Sequence, residues 1–128
     1  MARFLSEEWL ETSRGQAADQ AERPGASARI QYVVTGTPSG EVRYWWVLED
    51  GRLAGAALGE LADADVTFTQ AYSDAVAIQR GELDPGAAFM QGRVKVSGNM
   101  AKVMSLMPIT ASAEYRDLMA RIDDVTEY

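Results

Sequence analysis

The sequence predicts an α+β fold, a mainly antiparallel sheet with its helices gathered in the later part of the chain. Three observations predict it. Strand-like stretches dominate the first half and helical periodicity the second, which argues for segregation rather than a doubly wound sheet. Short turn signals, Thr37-Pro38-Ser39-Gly40 and Asp50-Gly51, join the early strands as hairpins and so make them antiparallel. Residues 83–107 read as helix, strand, helix, with a local cause for each boundary.

The elements follow in order. Ser6 is a good cap for a first helix spanning 6–22. Glu7 and Glu8 sit in the first turn, where the helix dipole favours them, and Leu5 and Leu10 are placed to staple the entry. Trp9, Leu10, Ser13, Ala17 and Ala21 form a thin apolar face, and Pro24-Gly25 stops the helix. Ile30, Tyr32 and Val34 alternate with polar neighbours over Ala28–Thr35, a first strand. Val42–Glu49 is the second, with Val42, Tyr44, Trp46 and Leu48 on one face and Arg43, Trp45 and Val47 on the other. Arg52–Leu58 is the third, rich in small residues that leave room for a ligand or for a closely packed helix. Asp63–Thr69 is the fourth, carrying Val66 and Phe68 inward. Ser73 caps a short helix with Val76 and Ile78, ended by Gly81.

Asp84 then caps a helix whose first position is Pro85, a residue with no N–H to lose there. Gly92 ends it by taking a left-handed conformation. Arg93–Ser97 alternates as a fifth strand, Gly98-Asn99 turns the chain, and Asn99 caps the next helix. On that helix Met100, Val103, Met104 and Met107 fall at i, i+3, i+4 and i+7, a single face. Pro108 separates it from a cover helix over 110–124, capped by Thr110 or Ser112. There Tyr115, Leu118, Met119 and Ile122 repeat the same spacing. The whole is expected to be one domain, residues 1–128: the N-terminal helix, a body of sheet and helices over 27–107, and the cover helix.

Ala64-Asp65-Val66-Thr67-Phe68, Gly81-x-Leu83-Asp84-Pro85 and the run from Ala88 through Phe89-Met90-Gln91-Gly92-Arg93-Val94-Lys95-Val96-Ser97-Gly98-Asn99 to Met100 resemble, in that order, the signature of the sterol-carrier-protein type two lipid-binding domain family. The resemblance covers roughly residues 25–120. It implies a five-stranded, mainly antiparallel sheet with helices on one face, and a hydrophobic tunnel between the layers for fatty acids, acyl-CoAs or sterols. It implies no cofactor and no metal. The chain departs from the family where Lys-Leu-Gln is often found, carrying Ser105-Leu106-Met107 and then Pro108. It also ends in Thr126-Glu127-Tyr128, without the Ser-Lys-Leu address of peroxisomal members.

Composition bounds the chemistry. The chain has 128 residues, no cysteine and no histidine, which removes thiolate nucleophiles, disulfides, the commonest general base and the commonest transition-metal ligands. The net charge of −7 offers no basic surface for nucleic acid and disfavours tight docking on anionic membranes. No apolar run approaches the ~20 residues of a membrane span. Met1–Leu5 leads straight into charged residues without a signal-peptide apolar block, so a cytoplasmic location is expected by default.

The expected partner is a hydrophobic small molecule. Its candidate contacts are Tyr44, Trp46, Phe68, Ile78, Phe89, Met90, Gln91, Met100, Val103, Met104, Met107, Leu118 and Met119. Met90, Met100, Met104 and Met107 crowd into a short stretch, and methionine repacks around guests of differing shape, although it also fills ordinary cores. Gln91 offers an amide to a headgroup, or satisfies backbone at a helix end. Asp63 and Asp65, and Glu41, Glu49, Asp50 and Glu60, read as solvated turn carboxylates. Two readings follow: non-catalytic carriage of a lipid-like ligand, and, as the alternative, a cofactor-free cyclase or isomerase using Tyr32 or Tyr44 with a buried carboxylate. Trp45 and Val47, on the far face of the sheet, are candidates for contact with a second copy of the chain.

Overall fold

The structure, a computed structural model, describes residues 2–17, 26–110 and 112–128. A five-stranded mixed sheet carries the fold. Its strands are β2 (Ala28–Thr37), β3 (Gly40–Glu49), β4 (Arg52–Leu58), β5 (Val66–Ala71) and β6 (Val94–Gly98), in the order β4-β3-β2-β5-β6. Three of the four neighbouring pairs are antiparallel; β2 and β5 run parallel, with Ile30 opposite Val66 and Tyr32 opposite Phe68. A second, two-stranded sheet pairs β1 (Ala2–Arg3) with β7 (Thr126–Glu127) in parallel. Periodicity could not reveal this pair: two residues are too few to carry a pattern.

The helices are α1 (Glu7–Gln16), α2 (Tyr72–Gln79), α3 (Pro85–Met90), α4 (Met100–Thr110) and α5 (Ala113–Asp124). Their caps are largely those expected. Ser6 accepts from Trp9 N, Asp84 from Ala87 N, Asn99 from Ala101 N and Lys102 N, and Ser112 from Tyr115 N. Gly81 and Gly92, at φ +77° and +75°, turn the chain left-handed after α2 and α3. Gly98 is required sterically as well as conformationally. Its φ is +111°, and a Cβ there would lie 2.5 Å from the Asp65 carbonyl oxygen.

Several expectations are corrected. α2 begins at Tyr72 after Ala71, which makes no side-chain cap; Ser73 lies inside the helix instead. β5 begins at Val66 rather than Asp63, because Asp63 takes φ +56° and interrupts the extended run, while the Asp65 carboxylate accepts from Arg29 N at 2.8 Å. Pro108 does not divide α4 from α5: it lies within α4, where the helix ends two residues later. Its missing N–H leaves the carbonyl of Met104 without the usual i→i−4 donor, and the helix ends within one turn of it. The extension of the first helix to residue 22, Ala21 and the Pro24-Gly25 stop lie outside the described residues, as does the Thr110 side chain.

The apolar interior has two parts. Around α1, Trp9, Leu10, Val34, Leu118 and Ile122 are buried together with Phe4 and Tyr44. Under α4, Ala28, Ile30, Val66, Val103 and Leu106 form a smaller cluster. No helix among the described residues is long and apolar enough to cross a membrane.

Candidate functional site

The strand period decides what the helices see. On β2 the inward positions are Ala28, Ile30, Tyr32 and Val34. Through the registers these place Trp46 and Leu48 of β3, and Phe68 and Gln70 of β5, on the same face. Three rings line up across the strands: Tyr32 stacks on Tyr44, with centroids 4.7 Å apart and planes 8° apart, and on Phe68 at 5.5 Å. They form a rigid floor whose aromatic area is large.

Above the floor lies a cavity of about 180 Å³. One water needs roughly 10–15 Å³ of such space, so the hollow has room for many heavy atoms. α2 gives it Ile78, α3 gives Phe89, α4 gives Val103, Leu106 and Met107, and α5 gives Tyr115 and Leu118. Among the described residues that line it, none is acidic or basic. A second, polar groove beside α5 shares Ile78, Pro85 and Tyr115 with the cavity, so these three side chains stand between the two.

The expected contacts divide. Trp46, Phe68, Ile78, Phe89, Val103, Met107 and Leu118 line the cavity. Tyr44 is buried behind Tyr32 and stacked on it. Met119 lines the polar groove. Met90, Gln91, Met100 and Met104 lie outside the lining and are exposed, Met90 at 80% and Met104 at 63%. The expectation that Met100, Val103, Met104 and Met107 form one inward face of α4 is therefore corrected. The helix turns Val103 and Leu106 to the sheet, keeps Met107 at the edge of the cavity with 37% of its surface exposed, and leaves Met100 and Met104 outward. Choosing the stripe by its methionines selected the neighbouring face. Gln91 is the C-cap residue of α3, its N–H bonded to Ala87 O at 2.9 Å.

Sequence reasoning missed Ile30, Leu48, Gln70, Leu106 and Tyr115 as lining residues. A signal existed for the first two and for Gln70. Each shares a strand parity with a residue already assigned inward, Ile30 with Tyr32, Leu48 with Trp46 and Gln70 with Phe68.

The ionisable groups of the wall are phenols. Burial pushes the Tyr32 hydroxyl well above its ordinary range, with Tyr44 and Tyr115 adding to the rise. Burial pushes Tyr115 up to about 12 and also raises Tyr44. These hydroxyls stay neutral near pH 7. A tyrosine acid for the enzyme alternative would need a carboxylate beside it, and none lines the cavity among the described residues. No group of His, Cys, Asp and Glu side chains among the described residues could hold a metal ion.

Comparison with known proteins fits this geometry. Sterol carrier protein 2 of Gallus gallus is 36% identical over 69 residues, which is 54% of this chain and 13% of that protein. The chain thus spans about an eighth of the length of that relative. A crystal structure of sterol carrier protein 2 superposes with a TM-score of 0.71 at 18% identity, covering 94% of this chain and 97% of the other. The solution structure of palmitated SCP2L2 from Aedes aegypti gives 0.62 at 22% identity, over 88% and 96% of the two chains. At these identities the superpositions speak for the fold. The sequence profile of the SCP-2 sterol transfer family matches residues 7–111, so the chain belongs to that family.

Proposed function

We propose that the chain binds one lipid-like hydrophobic molecule, non-covalently, in the cavity between sheet and helices, and carries it. Family membership supports lipid binding and transfer in general terms. The observation that carries the reading for this chain is the hollow itself: an apolar void with aromatic and aliphatic walls and no lining charge among the described residues. Such a space gains free energy from any guest that displaces water from it, at about 0.8 kcal/mol per methylene. The proposed contacts are the lining residues Trp46, Phe68, Ile78, Phe89, Val103, Met107 and Leu118. SCP2L2 from Aedes aegypti, which has the same fold, is palmitated in its solution structure, and that is consistent with this reading.

The test is a chain-length series. Saturated alcohols of eight to sixteen carbons are titrated against Nile red bound to the protein. Affinity should rise about fourfold per added methylene, the equivalent of that transfer energy, and then level off when the hollow is full. Displacement independent of chain length would overturn the reading. Carriage is tested separately, by the rate at which the protein moves a fluorescent sterol between donor and acceptor vesicles.

A further inference from the structure

Six large apolar side chains are exposed among the described residues, and four of them are methionines from one short stretch: Met90 at 80%, Met100 at 46%, Met104 at 63% and Met107 at 37%. Met100, Met104 and Met107 fall at i, i+4 and i+7 and so form one stripe along α4. Met90 closes α3 directly after Phe89. Phe89 and Met107 both line the hollow, so the exposed methionines stand at its rim. Single apolar residues scattered over a surface need no explanation, but a cluster beside a cavity does.

Charge singles out the same stretch. Residues 85–113 contain Arg93, Lys95 and Lys102 and no aspartate or glutamate, although the chain as a whole stands at −7. Arg93 lies 3.6 Å from Asp74, whereas neither Lys95 nor Lys102 has an ion-pair partner among the described residues. Lys102 donates to Ser27 O at 2.8 Å, and Lys95 is exposed on β6, the edge strand that α3 and α4 flank in the chain. The other long helices offer no such face. α1 carries Glu7, Glu8 and Glu11 against Arg14, and its Trp9 and Leu10 are spent on the core at 2% exposure. α5 carries Glu114, Asp117, Asp123 and Asp124 against Arg116 and Arg121, and buries Leu118 and Ile122.

We propose that this methionine ridge of α3 and α4 docks the protein, transiently, on the surface of a bilayer that contains anionic phospholipid, with the rim of the hollow against the lipid. Methionine is unbranched and flexible, so it sinks among acyl chains without demanding a shaped partner. The lysines extend their charge to the phosphates while their stems cover apolar surface. All 19 acids lie outside residues 85–113 and are repelled by the same phosphates, so the molecule approaches ridge first. The net charge that opposes tight docking thus makes the contact weak and oriented. The inference goes beyond the lipid-binding reading and does not depend on it.

The experiment co-sediments the full chain with vesicles of phosphatidylcholine, alone or mixed with phosphatidylglycerol. At about 0.1 M salt the screening length is about 10 Å, so the vesicle feels the nearby lysines rather than the distant acids. The mixed vesicles should then bind the protein at least fivefold more tightly. The preference should shrink at about 0.01 M, where the acids are felt across about 30 Å. Lys95→Gln should cost about fivefold on mixed vesicles and nothing on phosphatidylcholine alone. Replacing both Met90→Ser and Met104→Ser should weaken binding to either vesicle at least tenfold and leave Nile red affinity unchanged. Equal binding to the two vesicle types would overturn the proposal, as would wild-type binding by the double variant. A chain that sediments as a dimer, and as a monomer once both methionines are replaced, would assign the ridge to a second copy and overturn it too. Vesicle binding untouched by these changes, with chain-length-dependent displacement of Nile red, sinks docking and leaves carriage standing; the reverse pattern supports docking and removes carriage.

Discussion

The two halves of the interior are built from similar residues and do opposite things. Around α1 the packing closes. Trp9 and Leu10 are each 2% exposed, Trp9 meets Phe4 and Tyr44 edge-on at 5.0 and 5.5 Å, and Ile122 is sealed beneath. Under α4 the layers stand apart over Tyr32 and Phe68 and leave the hollow. The difference lies in what presses on the sheet. Two large side chains one residue apart fill the space below α1, whereas the smaller Val103 and Leu106 of α4 cover Ile30 and Val66 and border the hollow without filling it. Stability is thus concentrated at one end of the molecule and binding capacity at the other.

The sharpest way to break this contrast is Trp9→Ala. It should cost about 3–5 kcal/mol in urea unfolding, as for a fully packed aromatic. Phe89→Ala, at the border of the void, should cost far less and instead weaken ligand binding. Comparable losses in the two variants would mean that the hollow is closed in solution.

Gly98→Ala should rank next, at about 2 kcal/mol or more. The added methyl would strike the Asp65 carbonyl in a backbone that already has positive φ. This variant asks whether the frame of the hollow end is as rigid as its filling is loose.

The alkaline limb of stability follows, and its sign is fixed. Tyr32 and Tyr115 titrate above their ordinary values in the folded chain, Tyr115 at about 12. Between pH 10 and pH 12 the unfolded chain therefore holds fewer protons than the folded one. Stability should fall across that window by about 1.4 kcal/mol per pH unit for each such tyrosine, read as a falling urea midpoint. Binding of an uncharged ligand should stay flat from pH 6 to 9, since no other ionisable group lines the wall among the described residues.

Leu106→Phe should change stability by about 1 kcal/mol or less, the added ring entering existing space, yet lower affinity for a long-chain alcohol at least tenfold in the Nile red assay. Met104→Ser, on the exposed side of the same helix, should shift stability by less than about 0.5 kcal/mol and leave affinity unchanged. An affinity loss there would mean that the outward methionines meet the ligand after all.

Much of the frame was legible in the sequence because its causes are local. Asp50-Gly51 dictates a hairpin, Asp84-Pro85 a helix start and Asn99 another, and each is where the residues put it. The site was legible only in part, because lining depends on the rotation of each helix against the sheet. Alternation placed Trp46 and Phe68 correctly within the strands. On α4 the periodicity allowed two adjacent stripes, and only packing against Ile30 and Val66 selects Val103 with Leu106. Gln91 and Gln70 show the same limit. One sits in a recognisable motif and faces outward as a helix cap, while the other sits at a strand end, where neither motif nor propensity marks it.

The parallel seam between β2 and β5 carries a kinetic consequence. The β2–β3–β4 meander forms through neighbours in sequence, but Ile30 must find Val66 across the whole of that meander. Within the five-stranded sheet, closing so long a loop is entropically the steepest step. Tyr32 and Phe68, the floor of the hollow, face each other across this seam. A guest resting on both rings would clamp this join, so a loaded protein should unfold more slowly than an empty one by a factor set by occupancy.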